Sequence, residues 1–183
     1  LIGKHNILNA AAATAVCINI GVKVSVIKES LKKFSGVQRR MTKIFTKNQN
    51  EFFDDYAHHP TEISSILEGV SKVYNNRKII TVFEPHRYSR IISLKKAFSE
   101  SFAKSDLVLV CPMYAAGEKR NLHFDLTNFA KLISKNSKTQ TVLVKSQKEL
   151  SDYFKKNLIN NEIIIGMGAG SISQWMRELK FSL

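Results

Sequence analysis

Between Asp54 and Ile63 the chain reads DDYAHHPTEI, which sets two carboxylates, a phenol and two adjacent imidazoles ahead of a proline. Carboxylates accept hydrogen bonds from hydroxyls and amines, and imidazoles exchange protons near neutral pH. Further along, EPHRYSR places His86 beside Arg87 and Arg90, two guanidinium groups able to grip one small carboxylate as a fork. Residues 113–120, MYAAGEKR, mix glycine with both signs of charge, and 166–171, GMGAGS, offer backbone amides to an anion or to a neighbouring loop. Each stretch also has an ordinary reading: capping or surface histidines in YAHHP, exposed arginines at a helix start in HRYSR. GMGAGS is a weak dinucleotide fingerprint. It follows the last strand pattern rather than the first, lacks the full G-x-G-x-x-G, and has no acidic residue some twenty positions on.

What must position these groups is legible in the runs around them. Strand-like segments EFFDDYA, KIITVFEP, DLVLVCP, TVLVK and EIIIGMGAG alternate with helical patterns PTEISSILEGVSKVY, SLKKAFSESFAKS, DLTNFAKLISKN, SQKELSDYFKKNL and SISQWMRELK. Continuous β-branched runs imply strands buried on both faces. Short connections between alternating elements imply right-handed crossovers and a Rossmann-like, mostly parallel, doubly wound α/β sheet over residues 37–183. TKIF, separated from EFF by TKNQN, predicts a hairpin or strand pair at the edge. The four chemistry-bearing stretches then fall at the carboxyl ends of strands, on one rim. Pro60 opens a helix with Glu62 in its first turn, where the helix dipole favours an acid. Residues 1–36 form a separate region of two helices: NILNAAAATAVCINI, whose alanine content and spacing predict a buried helix ended by Gly21, and SVIKESLKKF, broken at Gly36.

With 183 residues and 44% hydrophobic content, the chain can bury one full core. No apolar run reaches the length that spans a bilayer, which with the mild N-terminal sequence predicts a cytoplasmic protein without membrane contact. The two cysteines, Cys17 and Cys111, have no metal-ligand spacing and read as buried packing residues. A net charge of +13 suggests nucleic acid. The lysines, however, are spread along the whole sequence rather than gathered in a stripe with aromatics, so no nucleic-acid partner is expected. The chain opens on Leu1 rather than Met, and its first ten residues read as the middle of something longer, as expected of a piece of a longer protein.

GKHNILNAAAA, FSGVQRR, DDYAHHPTEI, EPHRYSR, YAAGE and GAGSI, in this order and at these separations, resemble the Mur ligases of peptidoglycan synthesis over essentially the whole chain. HHPTEI together with PHRYSR resembles the alanine-adding branch. The ligase that recycles murein tripeptide shares the histidine pair but usually not the His-Arg-Tyr-x-Arg run. The resemblance implies that residues 1–36 are the last helices of a central ATP-binding domain and 37–183 the C-terminal domain, the N-terminal domain and the rest of the central one lying elsewhere. It implies ATP-driven joining of L-alanine to UDP-N-acetylmuramate, through phosphorylation of the muramoyl carboxylate and attack by the alanine amine. ATP with Mg2+ would serve the full-length enzyme, the phosphate loop and metal ligands being absent from this chain. By the same resemblance His5, Asn6 and Asn9 meet the adenine, Arg40 approaches the phosphates or ribose, and Asp55 accepts from ribose hydroxyls. Tyr56, His58, His86, Arg87 and Arg90 face L-alanine, the arginines holding its carboxylate and His58 or His86 orienting its amine. Glu84 departs from the family, many members carrying Gln there. The rival classes are an NAD-binding domain, which would need its glycine fingerprint on the first strand, and a basic nucleic-acid-binding module.

Overall fold

The computed structural model describes residues 4–34 and 36–183, with Lys4 and His5 described by their backbone alone. Among these residues the chain forms helices α1 (Lys4–Asn19) and α2 (Val24–Lys33), then β1 (Thr42–Lys47), β2 (Asn50–Asp55), α3 (Pro60–Val73), β3 (Ile79–Phe83), α4 (Tyr88–Ser93) and α5 (Lys95–Glu100). There follow β4 (Leu107–Val110), α6 (Leu126–Ser137), β5 (Gln140–Leu143), α7 (Gln147–Asn157), β6 (Ile163–Met167) and α8 (Ile172–Ser182). The strands make one sheet in the order β1-β2-β6-β3-β4-β5, antiparallel only where β1 meets β2. That hairpin turns on Asn48 and Gln49, both at positive φ (50° and 63°), the backbone that a tight loop between right-twisted strands requires.

β3, β4 and β6 are buried along their whole length, as their unbroken apolar runs demand. On one face Phe53, Phe83, Val108 and Ile165 pack with Ile63, Leu67, Phe98 and Phe129 of α3, α5 and α6. On the other, Phe52, Val82, Leu109 and Ile164 pack with Phe154, Met176 and Leu179 of α7 and α8. Full burial of one such side chain stabilises by about 1.5–3 kcal/mol, so two filled faces make the sheet a fixed platform. The last strand, β6, lies between β2 and β3. Its register pairs Met167 with both Asp55 and Phe83, so three strands end level where the strand order reverses. An open α/β sheet binds its ligands at such a reversal.

Gly21 ends α1 at φ 83°, its N–H on Ile18 O and that of Val22 on Cys17 O, the left-handed stop expected there. Burial of α1 differs from expectation: Ile7, Val16 and Ile18 are 69%, 60% and 52% exposed. A helix apolar on every side needs cover on every side, and α1 packs chiefly on α2, which itself buries Ile27. Cys17 is accordingly only half-buried, whereas Cys111 is fully buried as expected. The single helix expected over 93–105 begins earlier and is broken at Leu94, so that α4 brings Arg90 to the rim before α5 starts. No helix among the described residues is long and apolar enough to cross a membrane.

Candidate functional site

β2 ends in two buried carboxylates with different partners. Asp55 Oδ1 accepts the Ala57 N–H and Oδ2 the Met41 N–H, each at 2.7 Å, and the residue is 1% exposed. Burial pushes its carboxyl up to about 6, against the pull of both amides and of Arg40. In this structure the Asp55 oxygens fasten the bend to the segment before β1. Asp54 Oδ2 accepts from Ser173 Oγ (2.5 Å) and Arg177 (3.1 Å) of α8, while Arg39 Nε lies 3.8 Å from Oδ1. Arg39 also donates to Gly168 O at 2.7 Å and lays its guanidinium over the Tyr56 ring, 4.7 Å from the centroid. Sequence reading passed over Arg39 in favour of Arg40, since nothing in the pair's spacing says which side chain turns inward.

The adjacent histidines divide between the two readings open to them. His59 caps α3: its Nδ1 accepts the Thr61 N–H at 3.4 Å, and Glu62 answers with a carboxylate on the His59 N–H at 3.2 Å, a capping box. His58 turns toward the rim. Its Nδ1 lies 2.8 Å from Tyr56 O, and because a carbonyl only accepts, Nδ1 carries the proton and Nε2 is left as a bare acceptor. Glu62 Oε2 stands 3.6 Å from the same Nδ1. His86 has the opposite tautomer: Arg90 donates to its Nδ1 at 3.4 Å, which puts the proton of the neutral ring on Nε2. Burial, then the charges of Arg90, His58 and Arg87, hold its pKa below the ordinary histidine value.

Four rings run across the ends of β2, β3 and β4: Tyr56 to His58 at 5.0 Å, His58 to His86 at 5.8 Å, and His86 stacked on Tyr114 at 5.4 Å and 15°. Exposed Arg87 and half-buried Arg90 stand beside them at the start of α4. The structure thus brings Tyr56, His58, His86, Arg87 and Arg90 together. Below them the anion met by the amides of GMGAGS belongs to the protein itself. Glu84, 3% exposed, accepts from Gly170 N–H and Ser171 N–H at 3.0 Å and from Ser171 Oγ at 2.5 Å.

Asn6, Asn9 and Arg40 line a cleft of about 1110 Å³ between α1, α2 and the first turns of α3, with Arg40 also 6.0 Å from the Tyr56 ring centroid. Its floor is apolar, with Ala10, Ala13, Leu31, Phe34 and Ile66, and Arg40 pairs with Glu62 across its mouth at 3.6 Å. The His5 side chain lies outside the described residues. Glu62 therefore touches both groups, through Arg40 and through the His58 N–H at 3.0 Å. Among the described residues no three His, Cys, Asp or Glu side chains gather as metal ligands.

Residues 39–170 match the family of the Mur ligase, glutamate ligase domain. Over 179 residues, 98% of its length, the chain is 52% identical to the UDP-N-acetylmuramate--L-alanine ligase of Pelagibacter ubique, of which it spans 39%. It is 38% identical over 186 residues to the enzyme of that name from Vesicomyosocius okutanii, covering 40% of it. The crystal structure of UDP-N-acetylmuramate-alanine ligase from Thermotoga maritima superposes with a TM-score of 0.78 at 28% identity, over 99% of this chain and 38% of that one.

Proposed function

The chain belongs to the Mur ligase family, and from that premise we propose that it forms the amino-acid side and part of the nucleotide side of a cytoplasmic ligase joining L-alanine to UDP-N-acetylmuramate in cell-wall synthesis. The observation that carries this reading is that His58 and His86, with opposite tautomers, face each other on one rim beside Arg87 and Arg90, Arg90 donating to His86. Residues 1–36 are assigned to the end of the ATP-binding domain and 37–183 to the C-terminal domain, and the central and N-terminal domains of the full-length ligase complete the site.

L-Alanine arrives as a zwitterion and must lose an ammonium proton before it can attack. Arg87 and Arg90 take its carboxylate in charge-assisted bonds. The bare Nε2 of His58 accepts the ammonium N–H and is the candidate base, with Glu62 Oε2 3.6 Å from its Nδ1. His86, kept neutral by burial and the arginines, has an Nε2–H to donate and turns the substrate rather than taking its proton. Holding amine and acceptor in line is worth about 7–11 kcal/mol of barrier. ATP, when bound, supplies the phosphoryl group that activates the muramoyl carboxylate. Asn6, Asn9, Arg40 and, by resemblance, His5 would hold its nucleoside at the cleft, with Arg40 toward the phosphates or ribose and Asp55, by resemblance, toward the ribose hydroxyls. The Mg2+ that accompanies ATP finds no ligand set among the described residues.

The full-length ligase, given UDP-N-acetylmuramate, ATP and Mg2+, should release phosphate and form the L-alanyl product by mass spectrometry only when L-alanine is added. Product formed with a murein tripeptide and none with L-alanine would replace this reading with that of the recycling ligase.

A further inference from the structure

The loop carrying YAAGE is not used in the reading above, yet it holds the backbone from which the arginine fork projects. Tyr114 forms a parallel bridge with His86: the Arg87 N–H donates to Tyr114 O at 2.9 Å and the Tyr114 N–H to Pro85 O at 2.8 Å, under the His86–Tyr114 ring stack. Ala116 and Gly117 then turn the chain through two positive φ values, 51° and 85°. That turn returns Glu118 to the first turn of α4, where its carboxylate accepts the Ser89 N–H at 3.1 Å and Ser89 Oγ–H at 2.5 Å. Between the two attachments lies Arg87, a non-glycine residue at φ 67°. Such a backbone persists only where its surroundings over-determine it, and it clusters at active sites, ligand clamps and switch regions. Here the surroundings are Tyr114 on one side and Glu118 on the other.

Resting on the proposed ligase function, we propose that residues 114–118 are a clamp that sets the affinity for the amino-acid carboxylate, with Glu118 and Tyr114 as positioning residues. Glu118 acts through Ser89: it fixes the first turn of α4, and hence the backbone that carries Arg87 and Arg90. Its carboxylate is held acidic first of all by the Ser89 bonds, as a group committed to the backbone rather than to substrate. The clamp carries no proton and makes no bond to the amino acid; releasing it lets Arg87 leave its left-handed backbone and the fork open.

The test is steady-state kinetics of the full-length ligase with Glu118→Ala, Glu118→Gln, Ser89→Ala and Arg90→Ala, each checked for an unchanged melting temperature. Glu118→Ala should raise KM for L-alanine about tenfold while kcat and KM for ATP move less than twofold. Glu118→Gln, which still offers an oxygen to Ser89, should recover most of the loss. The double variant Ser89→Ala with Glu118→Ala should be no worse than Glu118→Ala alone, since both break one attachment. Glu118→Gln as poor as Glu118→Ala would mean that the charge meets the ammonium directly, and multiplicative losses in the double variant would mean independent roles; either overturns the clamp. If Glu118→Ala is silent while Arg90→Ala raises KM for L-alanine, the clamp fails and the ligase reading stands. If Arg90→Ala is silent too, the assignment of the rim fails instead. Should Glu118→Ala fail to fold, Tyr114→Phe with Tyr114→Ala replaces it: the ring stack predicts a normal KM for the first and a raised one for the second, and equal values contradict it.

Discussion

Replacing Glu84 by Ala should loosen the final helix from the sheet. Glu84 is 3% exposed, and its two oxygens serve three donors at the start of α8, the Gly170 and Ser171 amides and Ser171 Oγ. Hydrogen bonds to a charged group are worth about 1.5–3 kcal/mol each, and a carboxylate at a helix N-terminus adds ~0.3–1 kcal/mol, more when partly buried. Bonds that share one carboxylate do not add, so the net loss is about 3–4 kcal/mol, with two part-buried amides left without that acceptor. For a chain of this length each kcal/mol lowers Tm by about 2–4 °C, which gives a fall of roughly 6–16 °C in thermal unfolding followed by circular dichroism. Glu84→Gln keeps one acceptor oxygen but presents an NH2 where a second amide donates, so it should cost about 1–2 kcal/mol. A melting temperature for Glu84→Ala within 2 °C of the parent (roughly half a kcal/mol), or a Gln variant as unstable as the Ala variant, would refute the claim that this carboxylate holds α8.

Asp55 makes stability fall with rising pH over a defined window. Its folded pKa of about 6 lies above the ordinary 3.8, so its contribution is complete below about pH 4 and lost as pH rises through 6. The unfolding free energy of the parent minus that of Asp55→Asn, from urea titrations, should drop by about 3 kcal/mol between those limits and stay flat above; a difference that rises with pH contradicts the burial argument. Arg39→Met strips buried Asp54 of one of its two arginines and uncovers Tyr56, and should cost about 3 kcal/mol in the same titrations; a loss below ~1 kcal/mol would show Arg177 alone to be sufficient. Gly170→Ala places a methyl inside contact distance of the Tyr114 ring and 2.5 Å from Glu84 Oε1. It should destabilise by about 1–3 kcal/mol, and an unchanged melting temperature would mean that this loop gives way freely.

The sheet was legible because its strands are buried on both faces. IITVF, LVLV and EIII leave no room for a helical stripe, and the short connections allow only crossovers of one hand. The rim was legible for the same reason: once the strands are placed, DDYAHHP, EPHRYSR, YAAGE and GMGAGS must share one end of the sheet. Adjacent residues of like type were not separable. His58 and His59 differ only in which one reaches the α3 amides, and Arg39 and Arg40 only in which one turns inward. Backbone at left-handed φ decides both Arg39 (58°) and Arg87 (67°), and neither is a glycine whose type would announce it. The two amides that Asp55 accepts were not legible, because a carboxylate after a strand suits many donors. Helix α1 misled because composition records that a surface is apolar and not what covers it.

The central claim is that the rim divides into a nucleotide side, at Arg40 and the cleft, and an amino-acid side, at the fork. Steady-state constants for ATP and L-alanine in the full-length ligase, measured for Arg40→Ala and Arg90→Ala, test it most directly. Loss of one charge-assisted bond costs about 1.5–3 kcal/mol, or roughly one to two orders of magnitude in kcat/KM. The division predicts that Arg90→Ala places this loss on L-alanine and leaves KM for ATP within about twofold, and that Arg40→Ala does the reverse. Two substitutions that disturb both substrates equally would contradict it.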